Sequence, residues 1–201
     1  MSQFKRKSIL LSAAVAAAIT TTDYTMAQQA TLEEVVVTAR KREESLQQVP
    51  MAVSAFSTTQ LRDAQVDNIL DLERMTPNVT LTDTGGLVGG AISVFIRGIG
   101  QDPGFGQGVG IYMDDVYLNR TTGALLEVYD VERIEILKGP QGNLYGRNSI
   151  GGALKYITKQ PSDELEADLE VKGGVYDLIK VKGSVSGAII DETLYGSVGA
   201  M

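Results

Sequence analysis

ERIEILKGPQGNLYGRNSIGGALKYI, residues 132–157, is the stretch on which the rest of the chain depends. Ile134, Ile136 and Leu137 are β-formers with charged residues between them, which predicts a strand. Gly139-Pro140 ends it, because Pro has no N–H for a ladder and Gly accepts φ > 0. Gly142, Gly146, Gly151 and Gly152 then punctuate a compact loop carrying Tyr145, Arg147 and Asn148, and residues 153–158 predict a second short strand. A glycine-rich loop after a strand raises the question of phosphate binding. The phosphate-cradling loop needs G-x-x-x-x-G-K-[ST] opening a helix; here the glycine spacing is wrong, the Lys-Ser/Thr pair is missing and a β-rich run follows. On the residues alone, an ordinary hairpin with a long loop stays open.

The stretch resembles the end of the plug domain of TonB-dependent outer-membrane receptors, where E-R-I-E-x-L-[RK]-G-P-x-x-x-L-Y-G-x-x-x-x-G-G-x-[IL] recurs. The matching residues are Glu132, Arg133, Ile134, Glu135, Leu137, Lys138, Gly139, Pro140, Leu144, Tyr145, Gly146, Gly151, Gly152 and Leu154. Lys138 stands where many members carry Arg, which keeps the charge and loses the bidentate fork. The resemblance implies an α+β plug, a mixed four-stranded sheet with short helices, followed by the first antiparallel strands of a transmembrane β-barrel.

Composition narrows the function classes. The chain has no Cys and no His, so disulfides, Ser-His-Asp and Cys-His nucleophiles and His-based zinc sites are excluded together. A formal charge of −7 argues against a general nucleic-acid binder, which needs basic surface to meet phosphate. A carboxylate-based glycosidase remains chemically open, but the chain has no Trp to serve as a sugar platform. Mean hydropathy near zero excludes a bundle of membrane helices and leaves a barrel open, since barrel strands alternate. The expectation is a non-enzyme with no cofactor and no resident metal.

Residues 1–27 read as a secretory signal peptide: a basic start at Lys5, Arg6 and Lys7, an apolar run from Ile9 to Ile19, and small residues around Ala27. The apolar run is shorter than the about 20 residues a membrane span needs. Cleavage after Ala27 would take the formal charge from −7 to −9 by removing Lys5, Arg6, Lys7 and Asp23. Residues 28–44 form the next segment, in which Glu34, Val35, Val36, Val37, Thr38 and Ala39 precede the charged run Arg40-Lys41-Arg42-Glu43-Glu44. Consecutive valines favour extended backbone, yet nothing nearby in sequence obviously pairs with them. Such an isolated β-former is a hazard unless a partner strand takes it; the other reading is an edge strand of the following domain. The family resemblance implies a TonB box at residues 34–39, paired by strand addition with TonB and its inner-membrane energising complex. The short spacing between Ala27 and Leu32 leaves no room for the signalling domain of transducer-type members, so a transporter is expected.

Residues 45–160 form the predicted plug domain. A strand is expected around Val53 and Ala55, a short helix capped by Ser57 or Thr58, and a second helix started by Asp67-Asn68, with Ile69, Leu72 and Met75 on one face. A loop is expected over residues 82–90, then a strand over 92–96 running into Arg97-Gly98. The glycine-rich stretch 101–110 reads as an exposed loop. By resemblance it faces outward, and Asp102, Phe105 and Gln107 become candidates for contact with the arriving ligand. Asp114-Asp115 lacks the spacing of a calcium loop and reads as a turn. Arg97, Lys138 and Arg147 are candidates for plug–barrel ion pairs, beside Gly98, Gly139, Pro140, Tyr145, Gly146, Gly151 and Gly152 of the plug motifs.

Residues 161–201 form the last segment, and from Glu164 the pattern is clean alternation. Leu165, Ala167, Leu169, Val171 and Val175 oppose Glu166, Asp168, Glu170 and Lys172, and Ile179, Val181, Val185 and Ile189 repeat it after a turn at Tyr176-Asp177. A soluble antiparallel sheet alternates in the same way. After a plug, these residues read as barrel strands, apolar toward outer-membrane lipid and charged toward the lumen. A barrel of 22 strands needs roughly 400 further residues, so the chain is expected to be a fragment. The function implied by resemblance is energy-coupled uptake of a scarce small-molecule ligand such as a ferric siderophore or other iron chelate. The setting is the bacterial outer membrane, with the plug facing the periplasm. The alternative is a free periplasmic plug-like binding module without transport.

Overall fold

The computed structural model describes residues 35–84, 90–101, 106–120, 124, 128, 130–190 and 192–200. The predicted signal peptide therefore lies outside the described residues, as do Glu34, Asp102 and Phe105. In chain order the first elements are β1 (Val36–Val37), β2 (Glu44–Ser45), β3 (Ala52–Ser57), α1 (Thr58–Asp63), a 3-10 helix (Ile69–Met75), β4 (Val79–Asp83), β5 (Ile92–Ile96) and β6 (Ile99–Gln101). They are followed by β7 (Val109–Met113), β8 (Val116–Tyr117), β9 (Val131–Lys138), α2 (Gly142–Tyr145), β10 (Gly152–Thr158), β11 (Glu166–Gly173), β12 (Ile179–Ile190) and β13 (Leu194–Ala200).

The central sheet runs β3-β9-β10-β7-β8. β10 and β7 are parallel and the other pairs antiparallel, so the sheet is mixed. The two-residue β8 adds a fifth strand to the four-stranded core. β9 is covered on both faces, and its residues alternate between two apolar clusters. Ile134 and Ile136 join Leu154 and Tyr156 of β10 and Ile111 of β7 against Leu61, Ile69, Leu72, Ile92, Val94 and Ile96. Leu137 joins Ala153, Tyr112 and Tyr145 on the other face, against Val37, Ala39 and Val49. Each fully buried aliphatic side chain contributes about 1.5–3 kcal/mol relative to exposure. Two covered faces explain why 132–157 carries so few exposed apolar positions.

The helices start where capping chemistry places them. Ser57 accepts from the Gln60 amide while the Gln60 side chain accepts from the Ser57 amide, a capping box for α1. Asn68 and Asp71 make the same reciprocal arrangement for the next helix, which is 3-10 rather than α and stops before Thr76-Pro77. Two stretches read as loop hold structure. Thr82 and Asp83 belong to β4, whose Val79 and Leu81 are buried while Thr80 and Thr82 point outward, a period-2 pattern of mixed polarity that is weak in sequence. The loop after Pro140 contains one helical turn, α2, which seats Tyr145 inward.

β11-β12-β13 form a separate antiparallel sheet. Leu165, Leu169, Ile179, Val185 and Val198 all lie on uncovered surface, with Leu169 74% and Val198 76% exposed. The turn at Tyr176-Asp177 is formed, both residues having φ near +60°. Among the described residues no helix is long and apolar enough to cross a membrane, which says nothing of strands.

Candidate functional site

The valine segment does not stand alone. β1 pairs with β2 of the charged linker, Val36 opposite Ser45 and Val37 opposite Glu44, and the Leu46 amide donates to the Val35 carbonyl at 2.9 Å. This corrects the expectation that nothing nearby pairs with it: a turn at Lys41, φ +58°, folds the linker back. Val37 and Ala39 have no exposed surface. The segment is part of the cover over the second face of the central sheet.

Charged side chains in that face hold it. Thr38 N–H donates to Glu135 Oε1 at 2.7 Å, and the Thr38 hydroxyl reaches the same oxygen at 3.2 Å. Lys155 Nζ donates to Thr38 Oγ1 at 2.9 Å and to the Thr38 carbonyl at 3.3 Å. Tyr145 OH donates to the Ala39 carbonyl at 2.9 Å. Burial, and then the negative charge of Glu135, push the Tyr145 hydroxyl well up, so it stays a donor. Glu135 is fully buried and also accepts from Arg133 Nε at 2.9 Å; Lys155 is 1% exposed and pairs with Asp115 at 3.1 Å. The two residues lie side by side in register on β9 and β10. Asp115 and Asp114 form a turn with positive φ, and Asp114 accepts from the Thr158 amide and hydroxyl. No group of carboxylates suited to a metal ion occurs among the described residues.

A second polar region lies between the central unit and β11-β13. Arg62 of α1 pairs with Asp168 at 2.8 Å, Lys159 with Glu166, and Lys172 with Asp67. These line or adjoin a cavity of about 260 Å³ that also takes Asp130, Glu170 and Lys182 into its wall. The polar faces of the strands thus turn inward while the apolar faces turn out. The hydrogen bond from Lys172 holds the Asp67 carboxyl below its ordinary value of 3.8, against partial burial. A depressed carboxyl pKa stabilises the docked arrangement above the ordinary value, and that contribution is lost as pH falls through the lower one. Amides of β11 are therefore expected to lose hydrogen-exchange protection below pH 3.8, and Asp67→Asn to flatten that dependence. A pH profile unchanged by the substitution would contradict this.

The family model of the TonB-dependent receptor plug domain matches residues 45–153, just over half of the chain. The chain belongs to the TonB-dependent receptor family. It is 33% identical over 173 residues to the pesticin receptor of Yersinia enterocolitica, across 85% of this chain and 25% of that protein. It is also 33% identical over 140 residues to the vitamin B12 transporter BtuB of Vibrio vulnificus, across 67% of this chain and 22% of the transporter. Among solved structures, the ferric yersiniabactin uptake receptor FyuA from Yersinia pestis superposes with a TM-score of 0.68 at 30% identity, covering 74% of this chain and 23% of that one. The ferripyoverdine receptor of Pseudomonas aeruginosa shares the fold at 20% identity, with a TM-score of 0.62 over 78% of this chain and 20% of that one. The chain spans about a quarter of the length of the curated relatives it matches.

Within the plug, the candidate cations are not brought together in one cluster. Lys138 donates to the Pro77 carbonyl at 3.2 Å, and Arg147 to Asn119 Oδ1 at 3.2 Å. Arg97 has φ +55° and its guanidinium sits beside Gly139. Burial, and then the charge of Arg97, lower the Lys138 ammonium. The ion pairs between the central unit and β11 within the described residues come instead from Arg62, Asp67 and Lys159, of which the sequence marked only Asp67, as a helix start. Gln107 is half-buried and accepts from Tyr117 OH at 2.6 Å. Glu135 and Lys155 were legible only as motif or strand residues. The signal they carried was a charge at an inward-facing position of a β-run.

Proposed function

We propose that the chain is the front of an outer-membrane receptor that takes up a scarce ligand by coupling to TonB. The observation that carries this reading is the segment 35–39, a β-former that pairs with the two-residue β2 and is fastened to the central sheet by side-chain hydrogen bonds and the burial of Val37 and Ala39 rather than built into its ladder. Ligand arrives from outside, the segment becomes free in the periplasm, and TonB takes it as an added strand. A handful of backbone hydrogen bonds at a net ~1 kcal/mol each gives weak, reversible capture, suited to pulling. Residues 1–27 serve as the signal peptide, 28–44 as the TonB-binding segment and linker, 45–160 as the plug, and 161–201 as the first barrel strands. The uncovered apolar faces of β11-β13 meet lipid. They count against the rival reading of a free periplasmic module, which would leave them in water.

The ligand class is a metal chelate, with a ferric siderophore as the leading candidate. Two of the relatives support it by name: one is a ferric yersiniabactin receptor and another a vitamin B12 transporter. Asp102, Phe105 and Gln107 are the plug residues assigned to the ligand side. Arg97 and Lys138 make a doubled positive spot suited to carboxylates on further barrel strands, with Arg147 nearby in the motif.

Two tests apply. A peptide of residues 33–41 should bind the C-terminal domain of TonB, and Val36→Pro, which removes a strand N–H, should weaken binding about tenfold, the worth of one or two such bonds. Equal binding by both peptides, or none by the native one, would sink the coupling claim. Deleting the gene should abolish energy-dependent uptake of one chelate from a panel of ferric siderophores and cobalamin.

A further inference from the structure

Three tyrosines run between Gln107 and the held segment. Tyr117 OH donates to Gln107 Oε1 at 2.6 Å and accepts from Asn148 Nδ2 at 2.8 Å. The Tyr117 ring lies 5.4 Å from the Tyr112 ring, and Tyr112 lies 5.1 Å from Tyr145 in an edge-to-face arrangement. Tyr112 OH donates to the Tyr145 carbonyl at 2.8 Å, fixing the end of α2. Tyr145 OH closes the series on the Ala39 carbonyl at 2.9 Å. Every link is a hydrogen bond or a ring contact, and the rings are packed into a covered face that cannot yield gradually.

We infer that Tyr117, Tyr112 and Tyr145 are positioning residues that transmit the state of the Gln107 side chain to the hold on residues 35–39. The inference rests on the proposed function, which it deepens by naming the connection between the ligand side and the TonB-binding side. When Gln107 is drawn toward a ligand, Tyr117 loses its acceptor and its ring shifts. Tyr112 carries the shift to α2, and the Tyr145 hydroxyl leaves the Ala39 carbonyl. The segment then keeps the hold of Glu135 and Lys155, its pairing with β2 and the burial of Val37, and has lost one of its fastenings to the central sheet. A device of this kind requires two arrangements of one element: the structure holds the docked one, with Val37 buried, and the free one is the TonB-available state of the proposed function.

Spatial adjacency alone does not prove coupling, so the test reads the far end while altering the near end. The chain has no cysteine, which makes the thiol introduced by V37C a unique reporter, protected when the segment is docked. Maleimide labelling is followed on the full chain in detergent micelles, with V94C in the other core cluster as a reporter of global unfolding. Q107A and Y117F should each speed labelling of V37C about fivefold or more, the range of ordinary allosteric coupling, and leave V94C unchanged. Y145F should itself speed labelling, and on that background Q107A should add nothing. The inference is overturned if Q107A and Y117F leave V37C protected, if V94C labelling rises in step, or if the Q107A effect persists undiminished with Y145F. This experiment uses neither TonB nor ligand. Failure of the peptide to bind TonB would remove the proposed function while leaving the labelling result intact.

Discussion

Gly152→Ala is expected to cost the chain about 4 kcal/mol or more, enough to unfold the plug in moderate urea. Gly152 has φ +147°, a conformation that side chains rarely adopt, and a Cβ built there lies 2.1 Å from the Leu137 carbonyl oxygen and 2.9 Å from Ile96 Cδ1. The oxygen is part of the main chain of β9, where Gly152 sits opposite Lys138, so the neighbour cannot rotate away as a side chain would. Relief requires β10 to separate from β9 at the point where β7 also joins in parallel, Gly152 opposite Val109. Backbone strain of about 1–3 kcal/mol and overpacking of about 1–3 kcal/mol combine at one atom. Gly142→Ala is the control. A Cβ there meets nothing within 4 Å and lies in the first turn of α2, so it should be neutral or stabilising by up to ~1 kcal/mol. Urea unfolding in detergent micelles, followed by circular dichroism, separates the two. A loss below ~1 kcal/mol for Gly152→Ala would mean that β9 and β10 are less rigidly paired than the geometry requires.

The same glycine explains why the fold was legible. Residues 132–157 contain both central strands of the sheet, the loop that joins them and the close approach that only glycine allows, all within one stretch. Local patterning suffices there, as it does for the capping boxes at Ser57 and Asn68 and for the turn at Tyr176-Asp177. β4 escaped because its five residues alternate valine and leucine with threonine and aspartate, a pattern no stronger than that of a polar loop. The helical turn of α2 escaped because four residues flanked by glycines leave no periodicity to read.

The site was half legible for a different reason. Residues 35–39 were marked as strand-forming by composition, but what holds them lies about a hundred positions away in sequence. Thr38 and Glu135 are 97 residues apart, Tyr145 and Ala39 106, Lys155 and Thr38 117. No local rule connects them. The pairs Arg62–Asp168 and Lys172–Asp67 have the same character, each a surface charge until β11 packs beside α1 and the turn before the 3-10 helix. What sequence did carry was the anomaly of Glu135 and Lys155, charges at positions that strand alternation turns toward the covered face beside Leu137 and Ala153. Charges so placed need partners; Arg133 and Asp115 supply two, and Thr38 of the segment supplies the others.

Glu135→Gln is the expected result that separates holding the segment from holding the fold. The carboxylate accepts from the Thr38 amide, the Thr38 hydroxyl and Arg133 Nε on one oxygen, and is fully buried. Removing its charge leaves the Arg133 guanidinium, only 10% exposed, with Glu132 as its remaining partner, and exchanges a charge-assisted bond to Thr38 for a neutral one. Breaking a buried pair from one side costs ~3–5 kcal/mol, and the retained amide oxygen puts this variant near the lower value. The amide of Thr38 should lose hydrogen-exchange protection about tenfold more than core amides such as those of Ile111 and Leu154, because a bond to a charged acceptor is worth ~1.5–3 kcal/mol. A triple change of Arg133→Met, Glu135→Leu and Lys155→Met tests the reason. Apolar replacements of a whole buried charged group are often neutral or stabilising, so much of the lost stability should return. The Thr38 amide should remain unprotected, since no acceptor has been restored. If its protection returned with stability, apolar cover alone would be holding residues 35–39. The charges of β9 and β10 would then owe their place to the fold, and strand release would have to be sought in the packing of Val37 and Ala39.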